Sequence, residues 1–322
     1  MGIGITAVGG YVPERVMPNA EFEALLETND EWIVARTGIR ERRIAAPEET
    51  ASSMGVQAVR DLLERSPKAL EGVDLIVCAT STADATFPST AALIGLQVGL
   101  PSSAAFDISA ACAGFGHALG VAYGLLSSGV HQKALVVGSE TMSRTLDWTD
   151  RSTAILFGDG AGAVVLERVP DPYGILGVTL GGDSSGGHSL YLMNDADVLP
   201  GLENPGPKLT QNGREVFKFA VRIVPSATLE VLGKAGLGIE DLGFLIPHQA
   251  NVRILESACE RLNFPMSKVA LTLDKYGNTS AASIPLALKD SLEHLKDGDV
   301  VVLVGFGGGL AWSAVALRWK ML

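Results

Sequence analysis

The chain has little charge for its size, and positive charge is the scarcer sign. Only 19% of its 322 residues are Asp, Glu, Lys or Arg, and 36 acidic residues against 25 basic ones give a net charge of −11. This balance argues against general affinity for nucleic acid or for an anionic membrane. With 47% hydrophobic residues, so little charge indicates an extensive core and a partly self-covered surface, as in an oligomer.

Cysteine is also scarce, and membrane signals are weak. The three cysteines have no metal-ligand spacing, and their odd number fits a reducing compartment, so we predict a cytoplasmic protein without a metal site. No basic segment followed by a long apolar run opens the chain, so no secretory signal is predicted. Residues 300–317 carry no charge, but their glycines and β-branched residues favour two buried strands around a glycine turn over a membrane helix.

Apolar strand-like runs alternate with helix-like segments, which is the pattern of an α/β layered fold. Residues 74–80, 133–139 and 161–167 predict buried strands, and the Gly/Ala-rich residues 115–127 predict a buried helix. Residues 181–210 are rich in Gly, Asn, Asp and Pro and predict a long loop, which in a compact protein is usually functional.

The order of these segments repeats along the chain. A helix, a strand, a Gly/Ala-rich polar turn, a second helix and two more strands occur in the first part and again in the second. The repeat predicts two similar halves, 1–170 and 171–322, related by a pseudo-twofold axis. Equivalent turns would then meet at the centre, which brings Cys112 near Asn278 and, from a neighbouring turn, His248.

Cys112 lies in a setting that differs from those of the other two cysteines. Small residues surround it in DISAACAGFGHAL, so substrate and backbone can approach closely. A helix N-terminus there would lower the pKa of the thiol and favour a nucleophilic thiolate, although an inert core thiol is an equal alternative. Cys78, in the middle of a strand, and Cys259, in a helical stretch, are interpreted as core residues.

Two further polar residues stand out. His248 follows an apolar run and Pro247, whereas His117, His131, His188 and His294 lie in settings with no comparable signal. Asn278 follows a glycine, and both a simple turn and a functional carboxamide fit its context. The glycines at 307–309 could expose N–H groups as an oxyanion hole. GDGAG at 158–162 lacks the lysine and the spacing of nucleotide-binding loops, so nucleotide binding is not predicted there.

Taken together, these motifs give the chain a family resemblance. It resembles the β-ketoacyl-[acyl carrier protein] synthase III family, the priming condensing enzymes of type II fatty acid synthesis, nearly end to end. The resemblance implies an α/β thiolase-like fold of two similar halves in α-β-α-β-α layers, and a homodimer. It rests on NDEWIVARTGIRERRIA (29–45), ACAGF (111–115), TDRSTAILFGDGAGA (149–163), PHQANVRI (247–254), YGNTSAAS (276–283) and GFGGGLAW (305–312).

The resemblance also implies the catalytic roles. Cys112 would be the nucleophile that takes an acyl group from a coenzyme A thioester. His248 and Asn278 would stabilise the enolate formed when malonyl-acyl carrier protein loses CO2. The N–H groups of Cys112 and Gly308 would hold the tetrahedral oxyanion. No metal or redox cofactor is implied, because loss of CO2 generates the carbon nucleophile.

The resemblance further implies binding residues for coenzyme A, for the acyl chain and for the carrier protein. Phe87 would lie at the floor of the partner subunit's acyl pocket. The remaining implied contacts are Trp32, Arg36 and Arg151 around the nucleotide; Thr37, Phe217, Ala250 and Asn251 along the pantetheine path; and Arg214, Lys218, Arg222 and Arg253 as a basic docking patch for the acidic carrier protein. By spacing alone, the first three of that patch fit an ordinary solvated helix face better than a docking site.

Other functions stay open at this point. A related condensing enzyme of polyketide or signalling-molecule synthesis would carry the same motifs. A degradative thiolase would have a second cysteine near residues 305–309, and an elongating synthase would have a second histidine in place of Asn278; neither is present. A non-catalytic partner that only shapes an acyl tunnel would lack the nucleophile, whereas Cys112 is present.

Overall fold

Buried strands alternate with helices along the chain, as the apolar runs predict. The computed structural model describes residues 1–193, 201 and 206–322. The strands are β1 (Gly2–Tyr11), β2 (Arg15–Pro18), β3 (Glu41–Ile44), β4 (Leu75–Ala79), β5 (Ala104–Ile108), β6 (Ala134–Thr141), β7 (Asp159–Val169), β8 (Gly174–Gly182), β9 (Leu190–Leu192), β10 (Leu209–Gln211), β11 (Leu242–Pro247), β12 (Val300–Gly307) and β13 (Ala311–Arg318). The helices are α1 (Ala20–Glu23), α2 (Asp30–Thr37), α3 (Ala51–Arg65), α4 (Thr90–Gln97), α5 (Gly114–Ser127), α6 (Arg151–Ala154), α7 (Gly213–Lys234), α8 (Val252–Leu262), α9 (Leu273–Tyr276) and α10 (Ser283–Asp290).

Most of the strands belong to two mixed sheets that share one topology. The first has the order β1-β7-β6-β4-β5, with β4 parallel to β5 and β6, and with β7 antiparallel to β6 and β1. The second has the order β11-β12-β13-β8, with only β11 and β12 parallel. The order β4-β6-β7-β1 therefore corresponds to β11-β12-β13-β8. This correspondence supports the two halves 1–170 and 171–322, a division that itself stays a prediction.

The core is organised by strands that are buried on both faces. In β4, Leu75 and Val77 pack into the cluster that contains α5 and α10, whereas Ile76 and Cys78 pack on the opposite side with α3. The second sheet likewise packs on α5 and α10 with one face and on α7 and α8 with the other. Fully covered sheets read as continuous apolar runs because neither face meets water. The predicted α-β-α-β-α layering is thus confirmed.

The glycines of α5 allow this helix to lie between two sheets. A Cβ at Gly116 would lie 2.2 Å from the Ser313 Oγ on β13, and a Cβ at Gly120 would meet Val178 on β8 at 3.1 Å. Any larger residue at Gly116 would push the helix from the second sheet. The close packing fixes the N-terminal end of α5, and Cys112 lies in the 3-10 turn directly before it.

Most of the predicted elements are found, with one correction. Strands β4, β6 and β7, helix α5 and the strand pair β12–β13 confirm the sequence predictions for those regions. The long loop predicted over residues 181–210 is wrong for its described part, which contains the end of β8, a 3-10 turn at Ser184–Ser189 and the antiparallel pair β9–β10. Leu190 and Leu209 are buried there among apolar residues. Residues 194–200 and 202–205 of that prediction lie outside the described residues.

The uncharged run at residues 300–317 does not form a helix, because it is divided between β12 and β13. Within residues 1–193, 201 and 206–322, no helix is both long enough and apolar enough to cross a bilayer.

Two equivalent turns meet at the centre of the molecule. The 3-10 turn Ala111–Ala113 leads into α5, and the 3-10 turn Ser280–Ala282 leads into α10. Each turn begins with a residue in the left-handed region, with φ 44° at Ala111 and φ 48° at Ser280. Such backbone costs about 1–3 kcal/mol per residue and persists where the surrounding structure enforces it, often at functional sites.

Candidate active site

A cavity of about 430 Å³ lies where the two central turns meet the end of β11 and the turn between β12 and β13. Cys112, His248 and Asn278 all line this cavity. They come from three separate parts of the chain, and the two related sheets bring them together. A concave, largely apolar site with a few convergent polar groups is the usual form of a small-molecule site.

The Cys112 backbone is held by glycines of β12. A Cβ at Gly307 would lie 2.7 Å from the Cys112 nitrogen, and a Cβ at Gly305 would lie 3.1 Å from the Ala113 Cα. Only glycine therefore lets the end of β12 pass this close to the turn that carries Cys112. The Cys112 side chain faces the cavity while the residue stays 6% exposed.

The protonation state of Cys112 differs from the sequence expectation. Burial raises the pKa of the thiol to about 12, and a hydrogen bond with the Ser280 side chain only partly offsets this effect. The expected lowering by the helix N-terminus is thus outweighed by desolvation. With its pKa raised in this way, Cys112 is a thiol at neutral pH, and any reaction that needs its thiolate also needs a group that accepts the proton.

His248 is held as a neutral imidazole. It follows β11, its backbone nitrogen donates to the Val304 oxygen at 2.8 Å, and its ring packs edge-on against Phe306. Burial lowers its pKa from 6.5 to about 3. The Nδ1 atom lies 2.6 Å from the Ser283 Oγ. When Ser283 donates to Nδ1, the proton of the neutral ring lies on Nε2, which makes Nε2 a hydrogen-bond donor.

The Asn278 side chain is oriented by its own turn. Its Oδ1 accepts from the Ser280 nitrogen at 2.9 Å, and its backbone nitrogen donates to the Leu156 oxygen at 2.8 Å. Gly277 before it has φ 64°, and a Cβ there would lie 2.8 Å from the Leu156 oxygen. With Oδ1 engaged, the Nδ2 amide remains as the donor end of the carboxamide.

These groups suit chemistry in which negative charge develops on a substrate oxygen. His248 and Asn278 supply neutral donors in a buried site, where such donors stabilise an anion more strongly than they do in water. Gly308, the other predicted oxyanion-hole residue, lines the same cavity from the β12–β13 turn. A thiol, two fixed donors and a glycine turn therefore share one cavity.

The predicted pantetheine residues divide into two groups. Phe217, Ala250 and Asn251 line the cavity. The Asn251 side chain also caps α8 and donates to the Arg36 oxygen at 2.9 Å, which joins α8 to α2. Thr37 is buried, donates to the Ile33 oxygen and accepts from the Ile39 nitrogen, and is not among the cavity-lining residues.

The predicted nucleotide residues form a cluster outside the cavity lining. The guanidinium carbons of Arg36 and Arg151 lie 4.5 Å and 4.6 Å from the Trp32 ring centroid. Arg151 also donates to the Glu27 oxygen at 2.6 Å. These are cation–π contacts, so a base that stacks on the indole ring would compete with the guanidinium groups.

Phe87 and the predicted docking residues all lie on the surface. Phe87 is 84% exposed and is not among the residues that line the cavity. Of the predicted docking residues on α7, Arg214 and Lys218 lie next to cavity-lining positions, and Lys218 forms an ion pair with Glu215 at 2.8 Å. All four residues of the predicted docking patch are exposed: Arg214, Lys218, Arg222 and Arg253.

Three residues of the site escaped the sequence analysis: Ser280, Ser283 and Glu140. Ser280 and Ser283 contact Cys112 and His248, respectively, and Ser280 donates to the buried Glu140 carboxylate at 3.0 Å. A signal for Glu140 existed, since it is the one charge in the buried strand β6. The two serines lie two and five residues after Asn278 within a motif that was already noted.

The structure gives no grouping that suggests a metal centre. In the part of the chain that it describes, no three His, Cys, Asp or Glu side chains are placed to hold a metal ion. Cys78, Cys112 and Cys259 are buried and are not joined in disulfides.

Comparisons with known proteins agree by sequence and by structure. The family model of 3-oxoacyl-[acyl-carrier-protein (ACP)] synthase III matches residues 106–184, and the model of its C-terminal part matches residues 232–319. A β-ketoacyl-[acyl-carrier-protein] synthase III of Deinococcus radiodurans is 55% identical over 98% of this chain and 94% of its own length. The solved synthase III of Thermus thermophilus has a TM-score of 0.96 and 52% identity, over 99% of this chain and 100% of that one. The priming β-ketosynthase of the R1128 polyketide pathway has a TM-score of 0.92 and 38% identity, over 100% and 97%.

Proposed function

Because the chain belongs to the 3-oxoacyl-[acyl-carrier-protein] synthase III family, we propose that it condenses an acyl-coenzyme A starter with malonyl-acyl carrier protein. The products are a 3-oxoacyl-carrier protein, CO2 and coenzyme A, and the reaction initiates type II fatty acid synthesis. The observation that supports this function most directly is that Cys112, His248 and Asn278 line the same cavity.

In the first half-reaction, the Cys112 sulfur attacks the thioester carbonyl of acyl-coenzyme A. The carbon–sulfur bond to coenzyme A breaks, coenzyme A leaves as a thiolate, and the acyl group stays on Cys112. The N–H groups of Cys112 and Gly308 hold the oxyanion of the tetrahedral intermediate.

In the second half-reaction, malonyl-carrier protein loses CO2, and the electron pair of the broken carbon–carbon bond forms an enolate. Its oxygen accepts hydrogen bonds from His248 Nε2 and Asn278 Nδ2. The enolate carbon attacks the acyl carbonyl, the bond to Cys112 breaks, and the product leaves two carbons longer. Because decarboxylation generates the nucleophile, these steps require no metal or redox cofactor.

The coenzyme A path extends from this cavity to the surface. Phe217, Ala250 and Asn251 line its pantetheine part, and the cluster of Trp32, Arg36 and Arg151 receives the nucleotide. Thr37 is not among the cavity-lining residues; its hydrogen bonds with Ile33 and Ile39 hold the end of α2 in place beside the path.

The active form is a cytoplasmic homodimer in which Phe87 closes the acyl pocket of the partner subunit. Three features of the surface support this arrangement. Phe87 and Leu96 are large apolar side chains that are 84% and 66% exposed, and β5 is an edge strand of the first sheet. Exposed apolar groups beside a free strand edge are typical of a surface that another chain covers.

A second function has one observation in its favour. The R1128 priming β-ketosynthase shares the fold at 38% identity, so priming of a polyketide is the alternative use of the same chemistry. The two functions differ in the carrier protein and in the starter, not in the roles of Cys112, His248 and Asn278.

The direct test is a reconstituted condensation assay. The purified protein is mixed with malonyl-loaded carrier protein and one acyl-coenzyme A at a time, and the carrier-bound product is weighed by mass spectrometry. The proposal predicts a 3-oxoacyl product that requires both substrates. Absence of product with every starter, from folded and reduced protein, would contradict it.

Carrier docking gives a separate prediction. Reversal of charge in the double variant Lys218→Glu, Arg253→Glu should raise KM for malonyl-carrier protein about 10-fold, because rim charges guide an acidic partner to the cavity mouth. Acylation of Cys112 by acyl-coenzyme A should change less than about 2-fold.

Lys234→Glu is the matched control for this prediction. Lys234 lies at the far end of α7 and pairs with Glu230 at 3.0 Å, much as Lys218 pairs with Glu215. The control should leave both half-reactions unchanged. If the double variant lost both half-reactions equally, the docking role would be wrong.

A further inference from the structure

Glu140 is a buried acid that the reaction described above does not use. It lies near the end of β6, is 0% exposed, and burial raises its pKa. Its described partners are neutral: Thr82 Oγ1 at 2.6 Å, the Ser81 nitrogen at 3.0 Å and Ser280 Oγ at 3.0 Å. An acid buried without a cation is costly, and such groups concentrate at functional sites.

Ser280 connects this acid to the nucleophile. Its hydroxyl donates to Glu140 Oε1, and the same side chain lies within hydrogen-bond reach of the Cys112 thiol. Ser280 lines the cavity together with Cys112, whereas Glu140 lies behind it and is not among the lining residues. A hydroxyl can donate one hydrogen bond while it accepts another, so Ser280 can pass a proton between the two groups.

We propose that Glu140 holds the proton of Cys112 during turnover and exchanges it through the Ser280 hydroxyl. This inference rests on the function proposed above and assigns the proton transfer that the function requires. Ser280 contacts the reacting sulfur, and Glu140 acts through Ser280.

The proton balance closes over the two half-reactions. As the Cys112 sulfur bonds to the acyl carbon, its proton moves to Ser280 Oγ, and the Ser280 proton moves to the Glu140 carboxylate. Coenzyme A leaves as a thiolate and takes a proton from solvent. When the condensation later releases Cys112 as a thiolate, protonated Glu140 returns its proton by the reverse path, which restores the starting state.

The other groups near Cys112 are poorer acceptors. His248 has a pKa lowered to about 3 by burial, so a proton there is unfavourable. The titratable groups facing Glu140 are the Cys112 and Cys78 thiols, and burial raises the pKa of both. The negative charges of Asp84 and Asp107 also raise the pKa of the Cys78 thiol, so they disfavour its ionisation.

The test measures how fast iodoacetamide alkylates Cys112 as a function of pH, which needs no acyl donor. In the wild type, Glu140 accepts the proton once it is ionised, so the rate should rise through its raised pKa and then reach a plateau. In Glu140→Gln and in Ser280→Ala, the thiol must ionise alone. Since burial keeps the pKa of the thiol well above its usual range, the rate should rise roughly tenfold per pH unit with no plateau, and at pH 7 it should be about 10²-fold slower.

Thr82→Val is the matched control. It removes another hydroxyl donor from Glu140 without contacting Cys112, so the plateau should remain and begin at higher pH. Ser280→Ala should fold, because Ala111 already holds the same left-handed backbone in the equivalent turn. If Glu140→Gln does not fold, the result for Ser280→Ala alone tests the inference.

Two outcomes would overturn the inference. In the first, both variants keep the wild-type plateau. In the second, both variants slow alkylation by the same factor at every pH, which would indicate a purely structural role. The same pH series is repeated with acyl-coenzyme A. If the wild type is alkylated with the predicted profile but is never acylated, the proposed function fails and the proton relay stands. If the wild type is acylated and the variants keep its profile, the relay alone fails.

Discussion

Replacement of Cys112 by alanine should lower the rate of condensation by about 10³-fold or more, because the acyl group then has no sulfur to occupy. His248 and Asn278 remain in place, so decarboxylation of malonyl-carrier protein should continue in this variant. The measurement is the yield of 3-oxoacyl-carrier protein beside the release of CO2. Release of CO2 without formation of 3-oxoacyl-carrier protein would show that Cys112 acts in acyl transfer, whereas His248 and Asn278 act in decarboxylation.

Cys259→Ala is the control for this substitution. Cys259 is also a buried, unpaired thiol, but it lies on α8 and is not among the cavity-lining residues. Its loss should leave condensation within about 2-fold of the wild type. Substantial condensation by Cys112→Ala would show that another group carries the acyl chain.

The second large effect is expected from His248→Ala. Removal of one of the two donors to the enolate oxygen should slow malonyl decarboxylation by about 10²–10³-fold. Acylation of Cys112 should fall by less than about 10-fold, because the neutral imidazole is not the acceptor of the thiol proton. The two half-reactions are measured separately, as CO2 release and as acyl adduct formation.

His117→Ala is the matched control, since His117 lies on α5 five residues after Cys112. Its ring hydrogen-bonds the Ala113 oxygen, and it is not among the residues that line the cavity. This variant should keep both half-reactions. An equal loss of acylation and decarboxylation in His248→Ala would contradict the assignment of His248 to the decarboxylation step alone.

The His248 pKa adds a pH criterion. Because burial lowers it to about 3, the imidazole is neutral above pH 5 and its Nε2–H stays available to the enolate. Decarboxylation should therefore show no inflection from His248 between pH 5 and 8. An inflection near 6.5 that His248→Ala removes would mean that the imidazole titrates during catalysis.

Local sequence pattern singled out Cys112, His248 and Asn278 as candidates, and the family resemblance implied their roles. Cys112, His248 and Asn278 each follow or open a small-residue turn at the end of an apolar element, and the repeated order of elements predicts that such turns converge. The layered fold followed from buried strands alternating with helices. The three-residue strands β9 and β10 could not be predicted, because three residues carry too little periodicity to distinguish a strand from a loop.

The properties that depend on burial could not be predicted from local pattern. A helix N-terminus argues for a thiolate at Cys112, yet enclosure by two sheets raises its pKa to about 12. The contact between Ser280 and Glu140 joins residues 140 positions apart, and the stacking of Arg36 and Arg151 on Trp32 likewise depends on tertiary packing. Desolvation and long-range contacts are set by the whole fold.

The most direct test of the central claim is the intact mass of the protein after it is mixed with a panel of acyl-coenzyme A thioesters and no malonyl-carrier protein. The account predicts one acyl adduct per chain, which peptide mapping places on Cys112 and which Cys112→Ala lacks; the donor that reacts best identifies the starter. No adduct with any donor, from protein shown to be folded and reduced, would contradict the assignment of Cys112 as the acyl-accepting nucleophile.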